Sequence, residues 1–352
     1  MLCNKSFFLH SDIINSIIKN VYVCSQIEEG DALIKYSVIG TSWITRSFIE
    51  GANEVESLLL DGVYSRSAEK GKTFSEETGA RRVFTSFEDL CESDTELVYV
   101  ASPNVCHYAQ CKALLEAGKH VICEKPITIT ADEFSELVAL AREKKLVYFE
   151  AIMYMHAKGR EILKDAVAQI GNIRSASFDF SQLSSKYPAL VRGELPNIFN
   201  PEMKTGALND LGVYCVYPAI DLFGMPEEII PTQHFLDTGA DGCGSAVFRY
   251  ADKLVTVTYS KIGQSRGVSQ IFGDKGTVTI GSISQTDEIS IYNNAGERTE
   301  LLPDIEKKFL MGNEAASAVE FIKNPESEFL KECQDMNLKV LKCMERMRVE
   351  NA

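Results

Sequence analysis

The chain has 352 residues, of which 45% are hydrophobic and 24% charged, and its formal net charge is −14. This length suits two domains that each bury a core. The acidic excess excludes a broad surface for nucleic acid or anionic lipid, because such partners require a positive face. A small phosphate-bearing ligand is still compatible with the charge, since a single helix N-terminus can bind it.

The ten cysteines form no C-x-x-C pair and lie mostly in apolar runs. This pattern is typical of reduced, buried thiols in a cytoplasmic protein, and it indicates neither a disulfide framework nor a metal site. No apolar run approaches the roughly 20 residues that span a bilayer, so we expect no membrane segment. We interpret residues 1–33 as an extension without a signal peptide, either one amphipathic helix or a weakly ordered segment.

Strand-like and helix-like segments alternate from residue 34 onwards. The apolar run LIKYSVIG precedes the helical TSWITRSFIEGA, and three further strand–helix pairs follow before the strand HVICEKP. Thr130 and Glu133 then form the pattern of a capping box at a helix start. The order βαβαβαβαβ predicts a parallel, doubly wound α/β sheet over residues 34–152.

Residues 153–352 have a different pattern. Strands with partial alternation, such as those in GCGSAVFRYADKLVTVTYSKI, are joined by turns short enough for hairpins. We therefore predict a second α/β domain with a mainly antiparallel sheet and a helical tail over residues 313–349. Its longest irregular stretch, residues 181–205, has the length typical of functional or mobile loops.

The turn after the first strand, VIGTSWIT, occupies the place of the glycine-rich turn in dinucleotide-binding folds. Only the first glycine of that motif is present, so an unliganded turn is the alternative. A tight turn there would still aim the N–H groups of the next helix toward a pyrophosphate, with hydroxyl groups beside them. The residues expected at this position are Gly40, Thr41, Ser42, Trp43 and Ile44.

The second strand ends in VYSRSAEKGK, where NAD-selective folds place an acidic residue against the ribose. Here Ser65, Arg66 and Ser67 occupy that place. Two hydroxyls and a guanidinium suit a 2′-phosphate and leave the NAD hydroxyl without a carboxylate acceptor. We therefore predict NADP(H) as the preferred cofactor, with NAD(H) as the alternative. A solvated surface arginine is the non-functional interpretation.

Two later strands end in polar residues at the edge where open α/β sheets bind ligands. A lysine that simply reaches solvent, or a packed histidine, is the alternative interpretation of these residues. The candidates are Ser102, Pro103, Asn104 and His107 after the fourth strand, and Glu124 and Lys125 at the end of the fifth.

The segments VIGTSWIT, ASPNVCHYAQCKALLEAGKHVICEKP and GALNDLGVYCVYPAIDLFG together resemble the Gfo/Idh/MocA oxidoreductases. The run A-G-K-H-V-x-x-E-K-P is the most specific part, and the resemblance covers about residues 34–350. It implies a Rossmann domain over 34–152 and, over 153–352, an α/β domain whose open sheet commonly forms the subunit interface of a homodimer or homotetramer. It also implies that Lys125 lies beside substrate and nicotinamide, and that Glu124 contacts the cofactor ribose.

Asp210 and Tyr214 match the second catalytic signature of this family, with a tyrosine where many members have a histidine. The tyrosine form resembles the branch that contains glucose–fructose oxidoreductase, dihydrodiol dehydrogenase and NADP-dependent xylose dehydrogenase. The four-residue spacing of Asp210 and Tyr214 places both side chains on one helix face. The usual run of three glycines upstream is reduced to Gly206, which departs from the family pattern.

A lysine ammonium beside a phenol stabilises the phenolate and lowers its pKa. We therefore expect Tyr214 to take the proton of a substrate hydroxyl while Lys125 polarises the same oxygen, with Asp210 orienting the pair or holding substrate. His156 is a weaker candidate for a substrate contact.

The predicted function is a metal-independent NAD(P)-dependent oxidoreductase that interconverts an alcohol and a carbonyl on a sugar, polyol or cyclic diol. A non-catalytic dinucleotide-binding sensor and a reductase of an imine or tetrapyrrole substrate are the alternatives.

Overall fold

The structure, a computed structural model, describes residues 33–349. The predicted extension over residues 1–33 therefore lies, apart from Leu33, outside the described residues. No helix in the described range combines the length and the apolar character needed to cross a membrane.

A six-stranded parallel sheet forms the first domain, in the order β3-β2-β1-β4-β5-β6. All four residues of its central strand β4 are buried, as expected where helices cover both faces of a sheet. The predicted doubly wound sheet is confirmed. Its strands are β1 (Ile34–Ile39), β2 (Leu58–Tyr64), β3 (Arg82–Phe84), β4 (Leu97–Val100), β5 (His120–Glu124) and β6 (Tyr148–Ala151).

The helices between these strands begin at side-chain caps that the sequence encodes. Thr130 and Glu133 form the predicted capping box, and the hydroxyls of Ser67 and Ser86 each accept a hydrogen bond from a backbone N–H of their helix. These caps fix where the chain leaves the sheet edge. The helices are α1 (Trp43–Ala52), α2 (Ala68–Thr78), α3 (Phe87–Glu92), α4 (Asn104–Glu116) and α5 (Ala131–Glu143).

An eight-stranded sheet forms the second domain, in the order β14-β13-β12-β11-β7-β10-β9-β8. Among its described strands only β7 and β10 pair in parallel, so the predicted mainly antiparallel sheet is confirmed. The strands are β7 (Ile173–Ser181), β8 (Glu228–Phe235), β9 (Asp241–Arg249), β10 (Leu254–Ser260), β11 (Ser269–Gly273), β12 (Gly276–Ser282), β13 (Asp287–Asn293) and β14 (Arg298–Leu302).

The remaining helices join the two sheets. The predicted irregular stretch 181–205 contains the short helix α8 and two 3₁₀ turns, Asn197–Phe199 and Pro201–Met203. A π-helical turn, Leu208–Gly212, leads directly into α9. These helices are α6 (Met153–His156), α7 (Lys158–Gln169), α8 (Tyr187–Val191), α9 (Val213–Phe223), α10 (Lys307–Lys323) and α11 (Glu328–Met347).

The predicted helical tail consists of α10 and α11, and it bridges the two domains. Helix α10 packs along α1, and α11 contacts α5 and β6 as well as α9 and β8. The larger hydrophobic cluster accordingly runs from Ile34 to Met347 through both sheets. This continuous core fixes the second domain against the carboxyl edge of the first sheet.

Candidate active site

Gly40 forms a tight turn between β1 and α1. Its φ is +106°, and a Cβ added there would lie 2.6 Å from the carbonyl oxygen of Ala101. Glycine is therefore required where the ends of β1 and β4 approach each other. Ser42 precedes α1 and makes no side-chain bond to the helix's first N–H groups. The N-terminus of α1 thus has the form expected of an anion-binding helix start.

A cavity of about 450 Å³, which we call the strand-end cavity, lies over the ends of β1, β2 and β4. The described residues that line it include no acidic side chain, and Arg66 is joined there by Lys70, which the sequence analysis did not single out. A lysine in the first turn of a helix has no sequence signal that distinguishes it from a solvated one. The predicted residues in the lining are Gly40, Thr41, Ser42, Ser65, Arg66, Ser67, Ser102 and Pro103.

His107 links two strand-end loops. Its Nδ1 lies 2.9 Å from the carbonyl oxygen of Pro126, and its Nε2 lies 2.8 Å from that of Ser102. Burial lowers the pKa of His107, the two carbonyl groups act in the opposite direction, and the charge of Lys125 lowers it further. The neutral ring can donate only one of these two bonds. The predicted cofactor contact of His107 stays a prediction.

Asn104 connects the first domain to the segment before the π-helical turn. Its Nδ2 donates to the carbonyl oxygen of Lys204 at 2.9 Å, and Nδ2 of Asn209 donates to the same oxygen at 2.9 Å. The predicted cofactor contact of Asn104 stays a prediction, since its amide group also holds this loop against the start of α4.

Lys125 meets Asp210 and Tyr214, which follow it by more than 80 residues in the sequence, between the two domains. The Lys125 Nζ donates to Asp210 Oδ1 at 2.7 Å and to the Asp210 carbonyl oxygen at 2.9 Å. The same Nζ lies 5.0 Å from the centroid of the Tyr214 ring. A cavity of about 210 Å³, which we call the lysine cavity, is lined by Trp43, Ile44, Ala101, Ser102, Asn104, His107, Glu124, Lys125, Asp210 and Tyr214.

The backbone before α9 forms a π-helical turn, which is wider than the α-helix assumed for the four-residue spacing of Asp210 and Tyr214. Asp210 lies in the π-helical turn and Tyr214 in the first turn of α9. Pro218 lies inside α9 and has no N–H to donate to the carbonyl of Tyr214. π-Turns are frequent at functional sites, and this one brings the Asp210 carboxylate and carbonyl to the same ammonium.

Gly206 is the one glycine retained from the family's glycine run. Its φ is +108°, and an added Cβ would lie 1.9 Å from Oδ1 of Asp241. The other carboxylate oxygen of Asp241 accepts a hydrogen bond from the N–H of Leu208 at 2.7 Å. Asp241 therefore fixes the start of the π-helical turn, and its carboxylate leaves no room for a side chain at Gly206.

Lys125 and Asp210 stabilise each other's charge within the cluster. Burial opposes the charge of Lys125, but Asp210, Tyr214 and Glu124 together raise its pKa, so it is an ammonium. Burial also opposes ionisation of Asp210, yet Lys125 and Lys261 lower its pKa. The pair is thus a buried ion pair whose charges compensate each other.

The protonation state of Tyr214 differs from the expected one. Burial raises its pKa, Lys125 acts in the opposite direction, and Glu124 and Asp210 raise the pKa further. The lysine therefore has the predicted sign, but desolvation outweighs it. Tyr214 is a protonated phenol at neutral pH.

Glu124 lies at the edge of the lysine cavity and is buried. Its Oε1 accepts a hydrogen bond from the hydroxyl of Tyr99, and its Oε2 accepts one from the N–H of Lys125 at 3.3 Å. The predicted ribose contact stays a prediction. The Lys125–Pro126 peptide bond that follows is cis.

Lys261 is a charged member of the cluster that the sequence analysis missed. Its Nζ lies 2.5 Å from Oδ2 of Asp210, and its side chain is 11% exposed. It directly follows β10 in the run VTYSKIG, where nothing distinguishes it from a lysine that reaches solvent.

His156 does not lie with the cluster. Its ring packs against Phe149, Phe321 and Phe329, and its Nδ1 lies 2.9 Å from Oγ of Ser317. It lines a separate cavity of about 500 Å³ between α7, α10 and the start of α11. Burial lowers the pKa of His156 to about 3, so the ring is neutral. This placement does not support the predicted substrate contact.

Two family models match the chain. Residues 34–152 match the model of an oxidoreductase family with an NAD-binding Rossmann fold, and residues 160–279 match the C-terminal domain of Gfo/Idh/MocA proteins. The NADP(+)-dependent scyllo-inositol 2-dehydrogenase IolU of Bacillus subtilis is 34% identical over 90% of this chain and 96% of its own length. The chain belongs to the Gfo/Idh/MocA oxidoreductase family. The predicted family is therefore confirmed.

A more distant relative and a solved structure are similar over most of their length. A trans-1,2-dihydrobenzene-1,2-diol dehydrogenase of Mus musculus is 28% identical, over 77% of this chain and 81% of its own. The crystal structure of KijD10, a 3-ketoreductase from Actinomadura kijaniata in complex with NADP and TDP-benzene, matches with a TM-score of 0.78. It covers 89% of this chain and 96% of its own at 22% identity, a likeness that concerns the fold alone.

Proposed function

We propose that this protein is an NADP(H)-dependent oxidoreductase that interconverts an alcohol and a carbonyl on a ring polyol, cyclic diol or sugar. The observation that carries the proposal is the placement of the Lys125 ammonium. Asp210 holds it in the lysine cavity, with Nζ 5.0 Å from the centroid of the Tyr214 ring.

The strand-end cavity fits a dinucleotide. Gly40 leaves no room for a Cβ where a pyrophosphate would approach the backbone, and the N-terminus of α1 lies beside it. Arg66 and Lys70 supply two positive charges for a 2′-phosphate, and none of the described lining residues is the carboxylate that NAD-selective folds use. The relative IolU is named as an NADP(+) enzyme, which supports the same choice.

The side chains of the lysine cavity supply binding and proton transfer. The bound nicotinamide supplies the site for hydride exchange with the substrate carbon. The Lys125 ammonium binds the substrate oxygen and stabilises negative charge on it. In carbonyl reduction, the protonated Tyr214 donates its proton to that oxygen, and in alcohol oxidation the phenolate accepts it. Because the phenol is protonated at neutral pH, reduction needs no prior ionisation, whereas oxidation becomes faster as the pH rises.

The substrate class follows from relatives. Those described above are named for an inositol and for a dihydrobenzene diol, which supports a ring with neighbouring hydroxyl groups. A panel of scyllo-inositol, trans-dihydrobenzenediol and common aldoses, each with NADP⁺ and with NAD⁺, tests this substrate class. The absorbance of the reduced nicotinamide measures the reaction. We expect NADP⁺ reduction with a ring diol or polyol and slower reaction with NAD⁺. Tight NADP⁺ binding without turnover of any panel member, or of the corresponding ketones with NADPH, would contradict the proposal.

The alternatives draw no support from the described residues. A non-catalytic sensor has no need for a lysine and a phenol that share one cavity, and no described feature favours an imine or tetrapyrrole substrate. A cytoplasmic location and assembly into a dimer or tetramer through the second sheet are also part of the proposal. The eight described cysteines are free thiols, which supports a reducing compartment.

A further inference from the structure

Asp210 is shared by two lysines, one from each domain. Lys125 Nζ lies 2.7 Å from Oδ1, and Lys261 Nζ lies 2.5 Å from Oδ2. The side chains of the two lysines are 13% and 11% exposed, so both ammonium groups are largely withdrawn from water. The function proposed above explains Lys125 and leaves the second lysine without a role.

The backbone holds Lys261 in place. Its N–H donates to the carbonyl oxygen of Gly242 at 2.8 Å, and its own carbonyl accepts from the N–H of Ser184 at 2.9 Å. The first bond ties it to β9 and the second to the segment before α8. The main chain of Lys261 is therefore fixed on both sides, and the contact with Asp210 holds its ammonium.

The sharing determines how Asp210 binds Lys125. A carboxylate with one ammonium can turn both oxygens toward it, but here Lys261 occupies Oδ2. Lys125 is bound instead by Oδ1 and by the carbonyl oxygen of Asp210. An ammonium has three N–H donors, so this arrangement leaves one of them for a substrate oxygen in the lysine cavity.

The contact of Lys261 with Asp210 also affects the net charge around the substrate position. Glu124 and Glu314 act on Tyr214 from the first domain and from α10, and Asp210 adds a third carboxylate. With Lys125 as the sole cation, the local charge would be strongly negative. Lys261 offsets Asp210, so Lys125 keeps positive charge for an oxygen that becomes negative during the reaction.

We propose that Lys261 is a positioning residue, which holds the second oxygen of Asp210 so that Lys125 keeps one N–H and its charge for the substrate oxygen. This inference rests on the proposed function, and it adds a residue outside the lining of the lysine cavity to the machinery of that function.

Kinetics of Lys261→Met and Lys261→Arg test the proposal in the intact protein. We expect Lys261→Met to lower kcat about tenfold or more, because misplaced catalytic groups cost this much. The KM for NADP⁺ should stay unchanged. The pH of half-maximal alcohol oxidation should rise, since Asp210 raises the pKa of Tyr214 and would lose the cation that offsets its charge. Lys261→Arg should restore most of kcat.

Lys253 offers a matched control at the other end of β10. Its side chain is 16% exposed and is paired with a single carboxylate, Asp252. Lys253→Met should leave both kcat and the pH profile unchanged. A Lys261→Met protein with wild-type kcat and a wild-type pH profile would overturn the proposal.

A second measurement needs no substrate. Acetic anhydride acetylates unprotonated lysines, and peptide mass spectrometry compares Lys125 with the surface Lys112 in one sample. In Lys261→Met, the acetylation of Lys125 should be slower by about threefold or more, because both Asp210 oxygens would stabilise its ammonium. An unchanged ratio would overturn the proposal. A changed ratio in a protein that turns over no substrate would count against the proposed function alone.

Discussion

At the scale of single residues, the protonation of Tyr214 determines the preferred direction of proton transfer. Burial, Glu124 and Asp210 keep its phenol protonated, and the ammonium of Lys125 only partly opposes them. The site is therefore organised as a proton donor with a polarising cation beside it. Such a pair stabilises the alkoxide that forms when a carbonyl is reduced.

Arg66 should determine cofactor choice. It is exposed and lines the strand-end cavity beside Ser65 and Ser67. A charge-assisted hydrogen bond contributes about 1.5–3 kcal/mol, so Arg66→Ala should weaken NADP⁺ binding about 10- to 100-fold. Binding of NAD⁺ should be unchanged, because it has no 2′-phosphate.

Isothermal titration calorimetry with each cofactor measures this preference. Arg81, an exposed arginine before β3, provides the control, and Arg81→Ala should bind both cofactors as the wild type does. Wild-type NADP⁺ affinity in Arg66→Ala would show that the 2′-phosphate lies elsewhere.

The sequence predicted Lys125, Asp210 and Tyr214 but not Lys261 or Lys70. The first three belong to motifs whose spacing has chemical meaning. Lys261 meets Asp210 across a separation of 51 residues, and only the pairing of β10 with its neighbours brings them together. A lysine at the end of a strand has no local sequence feature that indicates such a partner.

At the scale of elements, Glu150 joins β6 to three other parts of the chain. It accepts hydrogen bonds from the N–H of Ile127 at 2.7 Å, from Nδ2 of Asn337 at 2.8 Å and from the hydroxyl of Tyr217. The turn after Lys125, helix α9 and helix α11 thus meet at one carboxyl group. Burial raises the pKa of Glu150 to about 7, although Tyr217 and Ile127 act in the opposite direction.

This raised pKa predicts a pH-dependent stability. Between about pH 4.5 and 7 the folded protein keeps the Glu150 proton that the unfolded chain loses, so the free energy of unfolding falls by about 3 kcal/mol as the pH rises. Below this window the contribution is complete, and above it the loss is constant. Urea denaturation across this range should show a smaller fall in Glu150→Gln than in the wild type, by about 3 kcal/mol. Asp241, whose pKa burial raises to about 6, contributes to the fall in both proteins.

A surface carboxylate provides the control for that experiment. Glu92 is exposed at the end of α3, and Glu92→Gln should retain the wild-type pH dependence. If Glu150→Gln and the wild type had parallel stability curves, the buried carboxyl would not be the titrating group.

Strand and helix positions followed from the sequence where periodicity and caps agreed, as at Thr130 and Glu133. The π-helical turn Leu208–Gly212 could not be predicted. It differs from an α-helix by a shift of the backbone hydrogen bonds by one residue, and the local sequence has no pattern that indicates this shift. The short helices within residues 181–205 are held by tertiary contacts, such as the bond from Asn104 to Lys204, that local sequence does not encode.

At the scale of the whole molecule, Asp221 joins the helices between the two sheets. It accepts hydrogen bonds from Arg160 at 2.8 and 2.9 Å and from Tyr154 at 2.8 Å, and Lys164 lies 2.9 Å away. Removal of one partner from a buried charge pair costs about 3–5 kcal/mol, so Asp221→Ala should destabilise the protein by this amount. The free energy of unfolding in urea measures it.

The exposed ion pair of Glu326 with Lys331 provides the comparison. Glu326→Ala should change the free energy of unfolding by less than about 1 kcal/mol. Equal losses in Asp221→Ala and Glu326→Ala would mean that the helix junction contributes no more than a surface contact.

The outer face of the second sheet should carry the subunit interface. Ile230 and Leu254 lie on it and are 53% and 50% exposed. Light scattering should give the mass of two or four copies, and Ile230→Glu with Leu254→Glu should lower that mass, since charge at an interface core opposes association. A monomeric wild type at micromolar concentration would contradict this assembly.

The sequence predicted both sheets and their order along the chain, because the alternation of elements differs so clearly on either side of residue 152. It did not predict that α10 returns to α1, or that one core extends through both sheets. Contacts between the C-terminal helices and the first domain depend on the packing of whole layers, and no local sequence pattern indicates them.

The most direct test of the account is NADP⁺ reduction by the wild type and by Tyr214→Phe, with a ring polyol identified in the panel as substrate. Loss of a general acid–base group lowers turnover about 10²- to 10⁴-fold, and we expect a loss in this range with unchanged NADP⁺ affinity. Tyr108→Phe, which removes the hydroxyl of a half-buried tyrosine of α4 that lines neither the strand-end cavity nor the lysine cavity, should turn over at the wild-type rate. Wild-type turnover by Tyr214→Phe would contradict the catalytic role of the Lys125–Asp210–Tyr214 cluster.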